Sequence, residues 1–283
     1  MRRTAQDPCF LQEDTTVSNP YTPDFYERNR IAVRKTAEAV VPIVIELMCP
    51  KSVIDIGCGE GDWLACFRAH GVQEIIGMDG DHIFLNDLAI PVGSFQACDL
   101  KEKLTAQDLP RRRFDLAVCL EVGEHLPKDL AGKLVQYLTS LAPVVLFSAA
   151  VPGQLGPSHI NCQWPPFWFD LFESRGFVTL DPIREHIWKN PSIPWWYAQN
   201  IFLFCSKEHR HNYVKLSEEQ PFDTENHLTI LRAALAWKEP TMRDIAGMLG
   251  GTLKRSATHW IGVITGRPRA QMRFGKSNVK GSR

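Results

Sequence analysis

The stretch VIDIGCGEGDW, residues 53–63, decides the fold of this chain. A β-branched apolar run ends at an acidic residue, three glycines follow at alternate positions, and an apolar helical pattern begins at Trp63. This order is typical of a buried strand, a tight loop and the start of a helix. Glycine permits a positive φ and leaves the backbone open to a ligand, while a helix N-terminus offers unpaired N–H groups. The stretch therefore predicts a site for a polar or anionic small molecule at a sheet edge.

The spacing of the glycines distinguishes between two ligands. The dinucleotide fingerprint is Gly-x-Gly-x-x-Gly, whereas Gly57, Gly59 and Gly61 are separated by single residues. The segment from Asp55 to Gly61 instead resembles the first motif of class I S-adenosylmethionine (SAM)-dependent methyltransferases, which reads acidic-x-Gly-x-Gly-x-Gly after a strand.

Three later segments have the order and spacing of the same family. They are EIIGMD at 74–79, FQACDL at 95–100 and FDLAVCLEVGEHLP at 114–127. The resemblance implies that Asp79 binds the ribose hydroxyls, that Asp99 lies near the adenine amino group, and that the Cys98 backbone lies beside the ring. The residues expected to hold SAM are Asp55, Gly57, Cys58, Gly59, Gly61, Asp79, Gly80, Cys98, Asp99, Leu120 and Glu121.

Alternating strand and helix patterns predict an α/β fold with parallel strands and right-handed crossovers. We expect strands near 52–57, 74–79, 93–97, 114–120, 143–149, 177–180 and 200–205, and helices near 61–70, 127–141 and 164–175. An N-terminal cap helix begins near Asp24 and is broken or kinked at Pro42. The resemblance implies a doubly wound, mostly parallel seven-stranded sheet whose last strand is antiparallel.

The predicted domain organisation has four parts. Residues 1–20 are a loose N-terminus, 21–207 the methyltransferase domain, and 208–252 a helical extension with helices at 229–238 and 242–249. Residues 253–283 form a basic tail with eight Lys or Arg and no Asp or Glu. Such a tail is either a solvated, mobile extension or a segment attracted to an anionic surface of lipid, acidic glycan or nucleic acid.

The composition excludes several classes of protein. A hydrophobic content of 44% in 283 residues is enough for one sizeable packed domain with additions. The formal net charge of +0 provides no overall field that attracts nucleic acid. The eight cysteines include no Cys-x-x-Cys pair, which favours free thiols in a reducing cytosol. No signal peptide or transmembrane segment is evident, so we expect a cytoplasmic protein.

A group of acidic and imidazole side chains follows the fourth predicted strand. Glu121, Glu124 and His125 occupy positions i, i+3 and i+4, which share one face if the segment is helical. The Glu-x-x-Glu-His pattern resembles ubiquinone-type O-methyltransferases and small-RNA 2′-O-methyltransferases, where it can bind magnesium. Two interpretations stay open: a Mg²⁺ site that lowers the pKa of an acceptor hydroxyl, or side chains that only shape the pocket.

A second polar segment, residues 156–166, follows the fifth strand. His159 has an intrinsic pKa that suits a general base near neutrality, or it is a further metal ligand beside Glu121, Glu124 and His125. Catalytic roles are therefore expected for His159, Glu124 and His125. We expect the acceptor to contact residues of this segment and an aromatic run in a predicted loop, namely Asn161, Gln163, Trp164, Trp195, Trp196 and Tyr197.

These features predict a SAM-dependent methyltransferase that acts on a hydroxyl of a sugar, glycan precursor or small metabolite. One alternative is metal-assisted methylation of an RNA ribose hydroxyl, although the main domain has no basic stripe interleaved with aromatics. Another is a non-catalytic module that binds SAM or a nucleotide.

Overall fold

A computed structural model describes residues 23–105, 114–154 and 156–222, and the side chains from residue 30 onward. The predicted loose N-terminus, the helices at 229–238 and 242–249, and the basic tail at 253–283 lie outside these residues.

The described residues form one seven-stranded sheet in the order β3-β2-β1-β4-β5-β7-β6. Strands β1 to β5 are parallel to one another, and β7 is antiparallel to both β5 and β6. The predicted doubly wound sheet with an antiparallel last strand is therefore confirmed. The strands are β1 Ser52–Ile56, β2 Glu74–Asp79, β3 Phe95–Ala97, β4 Leu116–Leu120, β5 Val144–Ser148, β6 Phe177–Leu180 and β7 Phe202–Ser206.

Eight α-helices lie in the described ranges: α1 Pro23–Met48, α2 Asp62–Ala69, α3 Leu100–Thr105, α4 Ala131–Leu141, α5 Pro165–Glu173, α6 Arg184–Ile187, α7 Trp195–Asn200 and α8 Val214–Glu218. Short 3₁₀ turns cover Leu85–Asp87, Val92–Ser94, Gly123–His125, Lys128–Leu130 and Arg210–Asn212. None of the described helices is long and apolar enough to cross a bilayer.

The first helix is not broken at Pro42, because α1 continues through the proline to Met48. Proline removes one N–H donor and crowds the preceding turn. However, Pro42 is exposed, while Val40, Val41 and Val44 around it are fully buried against the sheet. We attribute the continuity of α1 to this packing, which favours the helix beyond the proline.

Both faces of the sheet are covered by helices, and each strand supplies side chains alternately to the two. Leu116 and Val118 of β4 belong to the core under α1 and α2, whereas Ala117 and Cys119 belong to the core under α4 and α5. This double burial explains why β4 and β5 are buried at every position and almost entirely apolar, instead of alternating between apolar and polar residues. It also leaves the carboxyl ends of the parallel strands as the edge at which loops can form a site.

The first residues of the predicted C-terminal extension pack on the sheet domain. Leu216 of α8 is fully buried in the core that α1 covers. Nζ of Lys215 lies 2.8 Å from a carboxylate oxygen of Glu46 on α1.

Candidate active site

The glycine loop after β1 has the backbone that its sequence predicts. Gly57, Gly59 and Gly61 have φ values of 80°, 54° and 84°, in the left-handed region that favours glycine. The N–H groups of Gly57 and Cys58 donate to the carbonyl of Met78 at 2.7 and 3.2 Å, which fixes the loop to the end of β2. A Cβ on Gly57 would lie 2.3 Å from Cγ2 of Val122, whereas a Cβ on Gly59 would meet nothing within 4 Å. The open space at Gly59 is where a ligand can approach the backbone.

Asp79 closes this loop from the neighbouring strand. Its Oδ2 atom accepts a hydrogen bond from the Gly59 N–H at 2.7 Å, and its Oδ1 atom accepts one from Gly80 at 2.6 Å. The Asp79 side chain is 18% exposed, so the carboxylate remains partly accessible. Below the loop, Asp55 is buried, and its burial together with the charge of Asp79 raises its pKa well above the ordinary value.

The residues predicted to hold the adenine lie after β3. The Cys98 N–H donates to the Asp79 carbonyl at 2.7 Å, which joins this loop to the end of β2. Oδ1 of Asp99 accepts hydrogen bonds from the N–H groups of Lys101 and Glu102 at 2.8 and 3.3 Å, as an N-cap of α3 does. The glycine loop, Asp79 and Asp99 are thus arranged along one edge of the sheet.

The two glutamates after β4 do not share a helix. Glu121 has a φ of 57°, and the 3₁₀ turn begins only at Gly123. Glu121, Glu124 and His125 therefore do not share a helical face, because Glu121 itself has a left-handed backbone and lies before the turn. Such a conformation of a non-glycine residue is strained and is common at functional sites. Burial raises the pKa of Glu121.

The carboxyl group of Glu124 is fully buried. Within the described residues, neither of its carboxylate oxygens makes a hydrogen bond of normal geometry. Burial and the charge of Glu121 raise the pKa of Glu124 well above its ordinary value. A buried carboxyl group without a partner is costly and requires an explanation, which a proton or a bound cation can supply.

His125 and His159 lie beside Glu124. One potential ligand atom from each of the three residues lies within 4.8 Å of the others. Nε2 of His159 is 4.0 Å from Oε1 of Glu124, and the two imidazole rings meet edge to face with centroids 5.0 Å apart. Burial and the charge of His159 lower the pKa of His125 to about 4, and burial lowers the pKa of His159. Both imidazoles are therefore neutral at pH 7.

The tautomer of His159 follows from its hydrogen bond. Its Nδ1 atom lies 3.1 Å from the backbone carbonyl oxygen of Gln154, which can only accept. Nδ1 therefore carries the proton, and Nε2 directs a lone pair towards Glu124. This lone pair is available to accept a proton or to bind a cation.

The structure brings together three of the four predicted metal ligands, Glu124, His125 and His159. Glu121 lies outside that group, although its charge acts on Glu124. The Glu-x-x-Glu-His pattern predicts Glu121 as a ligand beside Glu124 and His125 if the segment is helical, and Glu121 instead lies outside the 3₁₀ turn.

The segment that carries His159 is fixed by backbone bonds to the 3₁₀ turn. The N–H groups of Ile160 and Asn161 both donate to the Glu124 carbonyl, at 2.9 and 3.0 Å. The Asn161 amide donates to the Gly123 carbonyl at 3.2 Å and accepts from Gln163 at 2.9 Å. Asn161 is buried, whereas Ile160 and Trp164 are 54% and 44% exposed beside it.

The expectation of a loop at the aromatic run is wrong, because Trp195, Trp196 and Tyr197 form the first residues of α7. Pro194 ends the preceding chain in an extended conformation and begins the helix. Tyr197 is buried with its ring centroid 5.9 Å from that of Trp63, and burial raises the pKa of its hydroxyl. Trp195 and Trp196 are half-buried.

Sequence reasoning also missed two buried amides, Gln154 and Asn200. Nε2 of Gln154 donates to Oε2 of Glu121 at 2.6 Å, and Oε1 of Gln154 accepts from Nδ2 of Asn200 at 2.9 Å. The available signal was weak: a glutamine that follows the turn residues Pro152 and Gly153 in the loop after β5, at the edge where sites form.

Comparisons with known proteins agree with this geometry. Residues 27–212 match a family model described as a methyltransferase domain. No curated protein matches the chain. The solved structures to which the chain is similar include the following three proteins. Magnesium protoporphyrin IX methyltransferase from Synechocystis PCC 6803, with bound SAM, has 18% identity over 67% of this chain and 87% of that chain, with a TM-score of 0.46. A SAM dependent methyltransferase from Archaeoglobus fulgidus has 16% identity over 66% and 100%, with a TM-score of 0.47. An O-methyltransferase family protein from Burkholderia thailandensis has 12% identity over 65% of this chain and 57% of that chain, with a TM-score of 0.45.

Since the family model spans more than half of the 283 residues, the chain belongs to this methyltransferase domain family.

Proposed function

We propose that this protein transfers a methyl group from SAM to a hydroxyl of a sugar, glycan precursor or small metabolite. The observation that carries the proposal is the buried group of Glu124, His125 and His159 at the sheet edge that also carries the glycine loop. A hydroxyl must lose its proton as it attacks, so a site for this chemistry needs a base or a cation beside the acceptor.

The proposed SAM site consists of the glycine loop and the ends of β2, β3 and β4. The open approach at Gly59 suits a polar ligand. The partly exposed carboxylate of Asp79 can accept hydrogen bonds from both ribose hydroxyls, and Asp99 would face the adenine amino group. Leu120 and Glu121, at the end of β4, would border the sulfonium.

The donor set also fits a divalent cation, because the buried carboxyl group of Glu124, which makes no hydrogen bond of normal geometry within the described residues, stands beside two imidazoles. Glu124, His125 and His159 would hold the cation, with Glu121 near enough to add its charge. Imidazole nitrogens suit Mn²⁺, Fe²⁺ or Zn²⁺ better than Mg²⁺, which prefers oxygen ligands. The cation would polarise the acceptor hydroxyl and lower its pKa. Without a cation, the lone pair on Nε2 of His159 is the proposed base.

Metal-assisted methylation of an RNA ribose hydroxyl is the second candidate, and the same donor set favours it. The two candidates differ in the acceptor and not in the site. A non-catalytic module that binds SAM is the third. Free thiols at the seven described cysteines suit a reducing compartment such as the cytoplasm.

The experiment has two stages. Isothermal titration with S-adenosylhomocysteine (SAH) and with NAD, in EDTA and in Mn²⁺ or Mg²⁺, tests the donor and the cation. Transfer of a radiolabelled methyl group to pools of glycans, small metabolites and RNA then tests the acceptor.

We expect His159→Ala to retain SAH affinity and lose most of the turnover, while His211→Ala, at an exposed imidazole, keeps both. Binding of SAH without transfer to any pool would favour the non-catalytic module, and binding of NAD instead would refute the proposal.

A further inference from the structure

One buried glutamine, Gln154, contacts both Glu121 and His159. Gln154 is 8% exposed and lies on the loop after β5. Its side-chain N–H donates to Oε2 of Glu121 at 2.6 Å, and its backbone carbonyl accepts the Nδ1 proton of His159 at 3.1 Å. These contacts bridge two residues that are far apart in sequence.

The orientation of the Gln154 amide is determined at its other end. Its Oε1 atom accepts from Nδ2 of Asn200, so the amide nitrogen must face Glu121. Asn200 is buried at the C-terminus of α7, where its Oδ1 atom accepts from Gln199 at 3.2 Å. Both the nitrogen and the oxygen of the Gln154 amide therefore make a hydrogen bond. If the amide were rotated by 180°, Oε1 of Gln154 would face Oε2 of Glu121, and both atoms are acceptors.

The chain of contacts continues away from the site to a fixed ion pair. Nη1 of Arg184 donates to the Gln199 carbonyl at 3.0 Å. Two other nitrogens of Arg184 bind both carboxylate oxygens of Asp181 at 2.9 and 2.6 Å. Although Oε1 of Gln199 has no hydrogen-bond partner within the described residues, this buried chain of hydrogen bonds restrains the orientation of its members.

We propose that Gln154, held by Asn200, is a positioning residue that orients the Glu121 carboxylate and fixes the Nδ1–H tautomer of His159. This proposal rests on the proposed function, since it assigns a purpose to the same site. Glu121 lies in a strained left-handed conformation, so its side chain needs an external contact to hold it. The fixed tautomer leaves Nε2 of His159 free towards Glu124 and the acceptor.

The tautomer is tested first, without any need for an acceptor. Long-range ¹H–¹⁵N spectra of protein labelled at histidine, prepared with EDTA, distinguish the two neutral forms of each ring. The His159 signals are assigned by their loss in His159→Gln. We expect the Nδ1–H form in the wild type, and the Nε2–H form would overturn the proposal even if methyl transfer is observed.

The orienting contact is tested by two variants. Gln154→Met removes both amide contacts at similar size. Gln154→Glu keeps the acceptor for Asn200 but loses the donor to Glu121, and it stands in if Gln154→Met does not fold. We expect kcat to fall by about 10–100-fold in either variant, with KM for SAM within about threefold, because a partner that orients a catalytic group affects turnover more than binding.

The matched control is Ser206→Ala, which removes a buried side-chain contact with Nδ1 of His209 at 3.1 Å and touches no member of the Gln154 network. We expect kcat to stay within about threefold of the wild type in this variant. An equal loss of kcat in Gln154→Met and Ser206→Ala would show a general structural effect and overturn the proposal. Failure of the proposed function is recognised separately, because the wild type would then transfer no methyl group to any pool.

Discussion

Oδ2 of Asp79 accepts a 2.7 Å hydrogen bond from the backbone N–H of Gly59, a residue 20 positions earlier in the chain. The other carboxylate oxygen binds the N–H of Gly80 at 2.6 Å. One side chain at the end of β2 thus holds the glycine loop after β1 and the loop that follows β2. The carboxylate that we expect to bind the ribose is also the group that preorganises the loop for the ligand.

We expect Asp79→Asn to weaken SAH binding by at least about tenfold, which is ~1.4 kcal/mol. An amide retains one acceptor oxygen, so it cannot hold both loops and also accept from two ribose hydroxyls. Isothermal titration measures the change, and Asp81→Asn, at an exposed neighbour, is the control for charge. An unchanged dissociation constant would show that Asp79 does not bind the cofactor.

The two glycines Gly57 and Gly59 should respond differently to alanine. Gly57→Ala places a Cβ against the stiff side chain of Val122 at a positive φ, so we expect a loss of about 2–4 kcal/mol of stability. The Cβ of Gly59→Ala would meet no atom within 4 Å. We therefore expect a loss of only about 1–2 kcal/mol of stability, which is the cost of a positive φ for alanine. Its Cβ nevertheless fills the approach of the ligand, so SAH affinity should fall. Calorimetry and titration separate the two effects; equal stability losses would contradict this account.

Two arginines connect α1 to the glycine loop and the start of α2. Nη1 of Arg30 lies 2.7 Å from Glu60 and its Nε 3.4 Å from Asp62, while Nε of Arg34 lies 2.6 Å from Asp62. We expect Arg30→Ala to cost about 1–3 kcal/mol, because its partners are mostly buried. Arg34 is half-exposed and should cost less than about 1 kcal/mol.

Melting temperatures at low and high salt test this order, with Lys35→Ala on the same helix as the control. Salt should reduce the effect of Arg34→Ala most, because exposed pairs are screened more than buried ones. A loss in Lys35→Ala equal to that in Arg30→Ala would refute the role of these ion pairs.

The buried carboxyl of Asp55 makes stability depend on pH. Burial raises its pKa in the folded state above the ordinary 3.8, so folding favours the protonated form. Its contribution is complete below the ordinary pKa and is lost as pH rises towards the folded-state pKa. Asp55→Asn stays neutral at every pH. In the ligand-free protein, the melting temperature of Asp55→Asn should therefore rise relative to the wild type as pH increases.

Calorimetry between about pH 4 and pH 8 measures this difference. Asp129→Asn, an exposed position, controls for the loss of one negative charge. A difference that stays constant across this range would mean that Asp55 is ionised in the folded protein.

Local patterns predicted the sheet well, because the signals are carried by neighbouring residues. Apolar runs at β1, β4 and β5 indicate strands that are buried on both faces. The glycines at 57, 59 and 61 indicate a loop of residues with positive φ, whatever the rest of the chain packs against. The errors arose where packing overrides local signals. Pro42 did not end α1, because the helix is held by the sheet on its opposite side. The aromatic run at 195–197 forms a helix because Tyr197 packs on Trp63, a contact that no local pattern contains.

The sequence by itself determined the strand–loop–helix unit at 52–69, the positions of the parallel strands along the chain and the identity of the residues at their carboxyl ends. Each of these follows from periodicity and turn chemistry within a few residues. Only the tertiary structure decided that Glu124 is fully buried, that His159 meets it, and that Gln154 joins Glu121 to Asn200, residues 33 and 46 positions away from Gln154. Contacts at such separations depend on which strands are neighbours and how deeply each loop is buried, and these depend on the packing of the whole sheet and its helices.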